Sequence, residues 1–412
     1  MSTVAEAKPE KLSFLTKMSF GAGDLGPAMV TAISGFFLLN FLINVAGLEP
    51  GPAGTLLLVV KIWDSVNDPL VGWLTDKTKS GMGRRRPWIL YGAIPFGLFF
   101  FLHWIVPPIG EGLKFWYYLV IALLLDTAFT IVNVPYTALT AELTLDYDER
   151  TSLNSFRFSF SILGGVLSAF VHSQIIAAFK DDPFTGYSLS VGIWAVVSVI
   201  GFLAVFFGVR ERGTGGGSQT DDGPGFVEGI RIAFKNRAFI LVTVIYLFSW
   251  LAIQFVQNNL FIYARDWIGI EAGQFGFLLL AVQVSSFVWV LIWARVSEPW
   301  SMLPDVIELD ELETGQRREG VFYGFFVLLQ KFGLSLGLFI SGWVLDIAGY
   351  IKAVPGQPDP VQPDNVLFAL RVLVGPAGAA ILLLSFVAVY LYPITKEKHA
   401  EIKAELAKRK LA

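Results

Sequence analysis

Long apolar runs separated by short polar segments divide this chain into helices of membrane-spanning length. A run of about 20 apolar residues predicts a helix that crosses a bilayer, because only a helix satisfies its backbone groups in lipid. Six such runs precede a glycine- and serine-rich stretch at 213–225, and four follow it. The predicted helices lie at about 18–46, 55–76, 88–106, 113–143, 153–179, 187–209, 238–263, 273–296, 320–350 and 366–393.

The composition of 213–225 predicts a flexible linker between two transmembrane halves. We expect an N-terminal transmembrane half at 1–210 and a C-terminal transmembrane half at 238–412. The linker between them, 211–237, includes a short amphipathic basic piece at the cytoplasmic surface. The predicted fold class is therefore an all-α polytopic membrane protein.

A weak internal repeat indicates that the second half is shortened. Pro135-Tyr-Thr-Ala-Leu139 resembles Pro299-Trp-Ser-Met-Leu303, and each is followed by acidic residues and then arginine. Residues 77–134 separate the first of these landmarks from the preceding helix end, whereas nothing separates the second from Glu298. Parallel repeats of six helices are typical of major-facilitator transporters. The equivalents of helix nine and most of helix ten are thus expected to be absent at 298/299.

This shortening has consequences for the C-terminal half. The polar stretch Pro299–Glu319 is too charged to cross hydrocarbon, so we expect a short cytoplasmic or interfacial helix over Trp300–Asp310. An open flank should expose Gln283, Gln330 or Lys331, which lipid or another subunit would then cover. A possible oligomer covering the open C-terminal half follows from this prediction.

The distribution of basic residues predicts the orientation in the membrane. The loop at 77–87 carries five lysines and arginines, and the C-terminal tail is also basic. Under the positive-inside rule, both features indicate the cytoplasmic side. We expect a multi-pass protein of the inner (plasma) membrane with both termini in the cytoplasm.

Composition excludes several classes of function. Hydrophobic residues make up 54% of the chain and charged residues 16%, with a mean hydropathy of +0.60. The net charge of −3 argues against a nucleic-acid partner, and the absence of cysteine excludes disulfides and thiolate metal sites. Because no nucleophile–base pair or metal cluster is evident, we expect no enzyme and no cofactor beyond a coupling ion.

Two carboxylates inside the second predicted helix are the main candidate site. Asp64 and Asp68 are four residues apart and share a helix face, with Lys61 one turn before them. Carboxylates in hydrocarbon usually face a wet cavity and serve ions or protons, and two so close repel unless a cation lies between them. The pattern predicts a Na⁺ or H⁺ site. The alternative is a structural Asp–Lys ion pair with one solvated Asp.

The fourth predicted helix carries further oxygen ligands. Asp126, Thr130 and Asn133 are spaced i, i+4 and i+7, so they share one face. Hard cations bind oxygen, and Thr130 and Asn133 could therefore complete a shell begun by Asp64 and Asp68. The alternative is ordinary hydrogen bonding between helices.

Other residues in apolar helices are candidate substrate contacts, and they include Asp126 and Ala28. Asp24 either lines the cavity or caps a glycine-rich bend, and Arg157 and Lys331 are charges inside predicted spans. Gln254 and Gln257 could donate hydrogen bonds to a polar solute.

Several motifs resemble one transporter family. They are Trp63-Asp64, Asn67-Asp68-Pro69, Gly72, Gly83-Arg-Arg-Arg-Pro-Trp88, Ser301-Met-Leu-Pro-Asp305, Thr314-Gly315 and Arg317-Arg-Glu-Gly320. With them the chain resembles the glycoside–pentoside–hexuronide:cation symporters, which include the melibiose permease. The resemblance implies a major-facilitator fold, alternating access and sugar uptake coupled to Na⁺, Li⁺ or H⁺. It places Asp64 and Asp68 on the cation-site carboxylates, Thr130 on a position lining that site, and Lys331 on a helix-eleven lysine.

Two positions depart from the melibiose permease pattern. Ala28 stands where that permease has a sugar-binding Asp, and Asn133 stands where it has an Asp shared by the sugar and cation sites. We therefore expect weak or absent binding of melibiose-like galactosides.

The sequence as a whole predicts a secondary active transporter that couples a Na⁺ or H⁺ gradient to symport of a sugar or sugar-like solute. One alternative is a non-transporting, partner-binding membrane protein derived from a symporter. Another is a carrier of an amphiphile such as a lysolipid.

Overall fold

The structure is a computed structural model, and it describes residues 11–144, 146–211, 226–296, 302–315, 319–354, 357 and 359–411. These residues are mostly helical, and no strand occurs among them. The predicted linker at 213–225 and the predicted break at Glu298-Pro299 lie outside the described residues.

The helices of the N-terminal half correspond to the six predicted spans. The first span is interrupted and continues after its second piece as two π-helical turns, Ser34–Leu38 and Phe41–Val45. The helices are α1 (Phe14–Ala22), α2 (Leu25–Ile33), α3 (Pro50–Lys77), α4 (Arg86–Leu102), α5 (Glu111–Leu143), α6 (Tyr147–Ala178) and α7 (Pro183–Gly208).

The helices of the C-terminal half correspond to the four later predicted spans and three shorter pieces. One π-helical turn, Ala264–Ile268, directly follows the helix that ends at Tyr263. Another, Leu373–Ala377, separates the two helical pieces of the last predicted span. The helices are α8 (Phe226–Lys235), α9 (Arg237–Tyr263), α10 (Ala272–Val296), α11 (Met302–Thr314), α12 (Glu319–Ile347), α13 (Asp364–Val372), α14 (Gly378–Tyr390) and α15 (Lys396–Leu411).

In the part of the chain that the structure describes, fewer helices are long and apolar enough to span a membrane than the apolar runs of the sequence predict. Among the described residues, six segments are long and apolar enough to cross a bilayer, and α4 and the first part of α10 are apolar but shorter. The charged α3 has 28 residues and is not among the six. The division into six and four spans therefore stays a prediction. The six segments are Glu111–Thr140, Asp148–Ala178, Pro183–Gly208, Arg237–Ile268, Phe325–Ile347 and Asp364–Tyr390.

The interruption of the first span has a steric and polar cause. A methyl group at Gly23 would lie 2.5 Å from the Tyr136 ring of α5, so glycine is required for this close approach. The Tyr136 hydroxyl donates a 2.7 Å hydrogen bond to the Phe20 carbonyl, which satisfies an acceptor near the end of α1. Asp24 follows at the N-cap position of α2 without a side-chain capping bond.

Among the described residues, two helix pairs make the most extensive contacts between the halves. α12 packs along α3, and α10 packs along α6. Methyl groups at Gly54 and Gly342 would lie 2.9 Å and 2.4 Å from carbonyl oxygens of the opposite helix, so glycine permits the approach of α3 and α12. Gln174 of α6 donates a 2.7 Å bond to the carbonyl of Gly273 in α10. The first contact brings the carboxylates of α3 beside α12.

A small apolar cluster lies apart from the main core and contains the predicted polar-segment helix. The expected helix at Trp300–Asp310 has a counterpart in α11, although Trp300 itself lies outside the described residues. Val306 and Ile307 of α11 pack in one cluster with residues of α8, α9, α12 and α15.

A polar contact ties the C-terminal helix α15 to α11. The His399 ring lies 2.8 Å from a Glu308 oxygen and 3.2 Å from an Asp305 oxygen. Burial raises the pKa of the Asp305 carboxyl above its ordinary value, and the neighbouring His399 ring opposes that shift.

Candidate functional site

The two carboxylates of α3 share one ammonium group from the other half of the molecule. The Lys331 Nζ of α12 lies 3.0 Å from Asp64 Oδ1, and it also donates a hydrogen bond to Asp68 Oδ2. Asp64 is 3% exposed, whereas the Asp68 side chain is 33% exposed. The helix therefore presents one carboxylate to the protein interior and the other toward open space.

Helix α5 closes the other side of this arrangement. The Thr130 hydroxyl donates a 3.0 Å hydrogen bond to Asp68 Oδ1. One turn earlier, Asp126 is 7% exposed, and its Oδ1 lies 3.6 Å from the Lys61 ammonium. Lys61 also donates a 3.2 Å bond to Asp64 Oδ2. We call Lys61, Asp64, Asp68, Asp126 and Lys331 the charged cluster.

These contacts bear on the two interpretations of the α3 pattern. The Lys61–Asp64 pair of the alternative interpretation is present. Asp68, however, is paired with Lys331 and Thr130 rather than with solvent alone. When all five side chains of the charged cluster are ionised, three negative charges face two positive ones. The arrangement can hold a cation or a proton among oxygen atoms.

The remaining candidate residues fall in different places. Asn133 lies on the Thr130 face of α5, and no hydrogen bond joins it to Asp64 or Asp68 among the described residues. Asp24 accepts a 3.2 Å bond from Arg157 of α6, so these two charges are paired with each other.

A separate cavity of about 620 Å³ lies between the halves, bounded by α2, α6, α9 and α10. Ala28 and Gln257 line it, as does Gln283, whereas Gln254 packs against Gly337 of α12. The residues that line this cavity include no charged side chain, and none belongs to the charged cluster.

A second polar region, at one end of the bundle, was missed by sequence reasoning. Asn44 donates to the Tyr350 hydroxyl (3.0 Å) and to Asn40 Oδ1 (2.9 Å). Arg265 donates to Tyr350 (2.8 Å) and to Asn40 Oδ1 (3.3 Å), and it pairs with Asp266. The available signals were the Arg265-Asp266 pair directly after an apolar helix and two asparagines spaced i, i+4.

The same region extends to the neighbouring chain segments. Asn40 donates to the Tyr187 hydroxyl (3.1 Å), and the Ala353 backbone N–H donates to Asn44 Oδ1 (2.9 Å). The contacts therefore bridge both halves. We call Asn40, Asn44, Tyr187, Arg265, Asp266 and Tyr350 the Asn44 network.

Comparison with known sequences gives a match across most of the chain. A sequence profile of the family described as MFS/sugar transport protein matches residues 19–298 and 296–396. An uncharacterized symporter of Synechocystis sp. is 35% identical over 532 aligned positions, which cover 97% of this chain and 98% of the relative. The sodium-dependent lysophosphatidylcholine symporter 1-A of Danio rerio is 28% identical over 476 positions, which cover 95% of this chain and 88% of the relative.

The alignments bear on the predicted shortening. The two segments of the profile match meet at the predicted break after Glu298. Because 532 aligned positions exceed the 412 residues of this chain, at least 120 positions of the Synechocystis relative have no counterpart here. Such a length accommodates two membrane helices of about 20 residues with their loops. The location of the missing segment stays a prediction.

Solved structures of transporters have the same overall fold as this chain. A point mutant of the nucleoside transporter NupG superposes with a TM-score of 0.65 at 12% identity, covering 90% of this chain and 99% of that one. A structure of a proton-dependent oligopeptide transporter superposes with a TM-score of 0.62 at 12% identity, covering 94% and 99%. At such identities the likeness concerns the fold alone.

Proposed function

The chain belongs to the MFS/sugar transport protein family, whose members are transporters and not enzymes, and on that premise we propose that it is a cation-coupled symporter. In this proposal the charged cluster binds Na⁺ or H⁺, and the cavity between the halves binds the solute. The proposed location is the inner (plasma) membrane, with both termini in the cytoplasm, because the loop at 77–87 is basic.

One observation carries the proposal: the Lys331 ammonium lies between the Asp64 and Asp68 carboxylates. An ammonium group there marks a place where a positive charge is stabilised by oxygen atoms. A coupling cation that binds Asp64 and Asp68 would compete with Lys331 for the same oxygens. Because Lys331 belongs to α12 and the carboxylates belong to α3, this competition would weaken a contact between the halves.

Coupling follows from that competition. A cation that favours the released arrangement of α3 and α12 changes the affinity for a solute bound between the halves, and the solute changes the affinity for the cation by the same factor. In this proposal each ligand raises the affinity for the other, as symport requires. Asp64, Asp68 and Thr130 are the proposed cation ligands, and Asn133 is a neighbouring polar residue on the same face as Thr130.

The first candidate cargo is a sugar or sugar-like solute. The Gln257 and Gln283 amides line the cavity and offer donors and acceptors to hydroxyl groups. Ala28 also lines the cavity, so a charged acceptor is absent at that position.

The second candidate cargo is an amphiphile such as a lysolipid. The cavity is lined largely by apolar side chains, among them Phe36, Ile253 and Leu260. An acyl chain would find more complementary surface there than a sugar ring with several hydroxyls. The Danio rerio relative is described as a lysophosphatidylcholine symporter, which also favours this candidate.

Flux into proteoliposomes tests the proposal. Purified protein is reconstituted, an inward Na⁺ or H⁺ gradient is imposed, and accumulation of labelled sugars and labelled lysolipid is compared. We expect one class to accumulate above its equilibrium distribution, and Asp68→Asn to abolish that accumulation. Asp182→Asn, which removes a carboxylate at the start of α7, is the matched control and should transport normally.

The same experiment addresses the rival function, a partner-binding membrane protein that transports nothing. The exposed apolar side chains of Val284, Val288 and Trp289 on α10 offer such a protein a surface. No accumulation of either class under either gradient would contradict the symporter and favour the rival.

A further inference from the structure

Among the described residues, one oxygen of the charged cluster has no hydrogen-bond or ion-pair partner. Both oxygens of Asp64 contact lysine, and those of Asp68 contact Thr130 and Lys331. Asp126 Oδ1 contacts Lys61, whereas Asp126 Oδ2 is buried and has no hydrogen-bond partner. Asp126 therefore carries the carboxylate oxygen of the cluster that is still free to contact a ligand.

The charge balance indicates what this oxygen lacks. Three carboxylates and two ammonium groups leave one negative charge in excess when all are ionised, and a buried unpaired charge is strongly unfavourable. One monovalent cation would cancel the excess. A buried carboxylate oxygen is also the type of ligand that a hard cation prefers.

We propose that Asp126 is a direct ligand of the coupling cation. This inference rests on the proposed function, and it adds a third carboxylate to the Asp64 and Asp68 pair. The cation is Na⁺ or H⁺, both of which satisfy Asp126 Oδ2.

Lys61 has a positioning role in this arrangement. Its ammonium lies between Asp64 Oδ2 and Asp126 Oδ1, at 3.2 Å and 3.6 Å, and so joins α3 to α5. It occupies one oxygen of Asp126, and the other oxygen is the one without a hydrogen-bond partner. It also compensates one of the three negative charges, which sets the excess at one.

A series of charge variants tests this inference on the full-length protein in lipid nanodiscs. The variants are Asp126→Asn, Asp126→Glu, Lys61→Gln and the double variant Asp126→Asn with Lys61→Gln, with Asp182→Asn as the matched control. The measurement is the shift in thermal unfolding temperature during a titration of NaCl against choline chloride, repeated across pH in choline alone. Wild type and the Asp182→Asn control should respond along a single-site curve.

We expect Asp126→Asn to lower the apparent cation affinity by about tenfold or more, because it removes a charged ligand. Asp126→Glu keeps the carboxylate and should retain the response, which separates ligand loss from misfolding. Lys61→Gln should raise the apparent cation affinity, because it leaves two negative charges in excess, and the double variant should behave like Asp126→Asn. A pH response without a Na⁺ response in wild type would identify H⁺ as the cation.

The outcomes separate this inference from the proposed function. If Asp126→Asn responds as wild type does while Asp68→Asn loses its response, Asp126 is not a ligand and the symporter proposal stands. If removal of Lys61 restores the response of Asp126→Asn, net charge rather than ligation is decisive, and the inference is overturned. If wild type responds to neither Na⁺ nor pH, the proposed function itself fails.

Discussion

The charged cluster and the Asn44 network both join the two halves of the molecule, and they differ in how fully their polar groups are paired. In the Asn44 network, no buried side-chain nitrogen or oxygen of its described residues lacks a partner, and Arg265 is balanced by Asp266. In the charged cluster, Asp126 Oδ2 has no hydrogen-bond partner among the described residues, and full ionisation would leave one negative charge in excess.

This difference separates a closed contact from a binding site. A fully paired network stabilises the arrangement that forms it. An incompletely paired cluster is stabilised by whatever completes it. We therefore interpret the Asn44 network as the contact that closes one end of the bundle, and the charged cluster as the place where the coupling ion acts.

The largest expected effect comes from neutralising the carboxylates that face Lys331. Asp68→Asn and Asp64→Asn each remove a charged cation ligand, and we expect the apparent cation affinity to fall by on the order of 100-fold. Cation-dependent uptake should be lost with it. The measurement is initial uptake rate against external Na⁺ and pH. Unchanged Na⁺ and pH dependence in both variants would contradict the interpretation of the charged cluster as the place where the coupling ion acts.

Weakening the Asn44 network should open the end of the bundle that this network closes. Asn44→Ala removes two donated bonds and leaves the Ala353 N–H without its acceptor, a loss of roughly 1–3 kcal/mol for the closed arrangement. The natural chain has no cysteine, so Ala28→Cys gives a single label site in the cavity. An impermeant maleimide added on the Asn44 side should label it faster in the Asn44→Ala background.

A matched control for this labelling is Ser188→Ala, which removes an exposed hydroxyl on α7. Its labelling rate should equal that of Ala28→Cys alone. Equal rates in the Asn44→Ala background would contradict the role of the network as a closing contact.

A smaller effect concerns the cavity that lies apart from both polar regions. Because Ala28 offers no charged acceptor to a sugar hydroxyl, melibiose-like galactosides should bind weakly or not at all, and Ala28→Asp should improve binding by up to about tenfold. Calorimetric titration of wild type and Ala28→Asp measures this. Micromolar binding of such a sugar to wild type would refute the expectation.

The smallest effect is expected at the exposed rim of the Asn44 network. Lys352 contacts Glu49 at 2.7 Å, but the Glu49 side chain is 56% exposed. Exposed ion pairs contribute less than about 1 kcal/mol. Lys352→Gln should leave both the maleimide labelling rate and the unfolding temperature nearly unchanged. An increase in labelling rate as large as that caused by Asn44→Ala would show that the closing contact lies at this exposed rim.

Local patterns in the sequence were sufficient for much of this account. Apolar runs predicted the long helices, because each helix must present apolar surface to lipid or to its neighbours. The i, i+4 spacing of Asp64 and Asp68 predicted a shared face, and the resemblance to a known family pointed to Lys331. These inferences depend on residues close in sequence or on a known motif.

Tertiary packing determined what the sequence did not reveal. Asn44 and Tyr350 are 306 residues apart, and no local pattern pairs them. Asp126 was considered a substrate contact, and only the packing of α5 on α3 brings it to Lys61. Likewise, the helix face on which Gln254 lies turns it toward Gly337 rather than into the cavity.

The central claim is that solute and cation cross together, and reciprocal coupling tests it most directly. Proteoliposomes are prepared with equal radioactive Na⁺ or equal pH on both sides, and a solute gradient is then imposed. The account predicts that inward solute movement drives Na⁺ or H⁺ inward against its own equilibrium, and that Asp68→Asn abolishes this cation movement. Solute movement with no accompanying Na⁺ or H⁺ movement in wild type would contradict it.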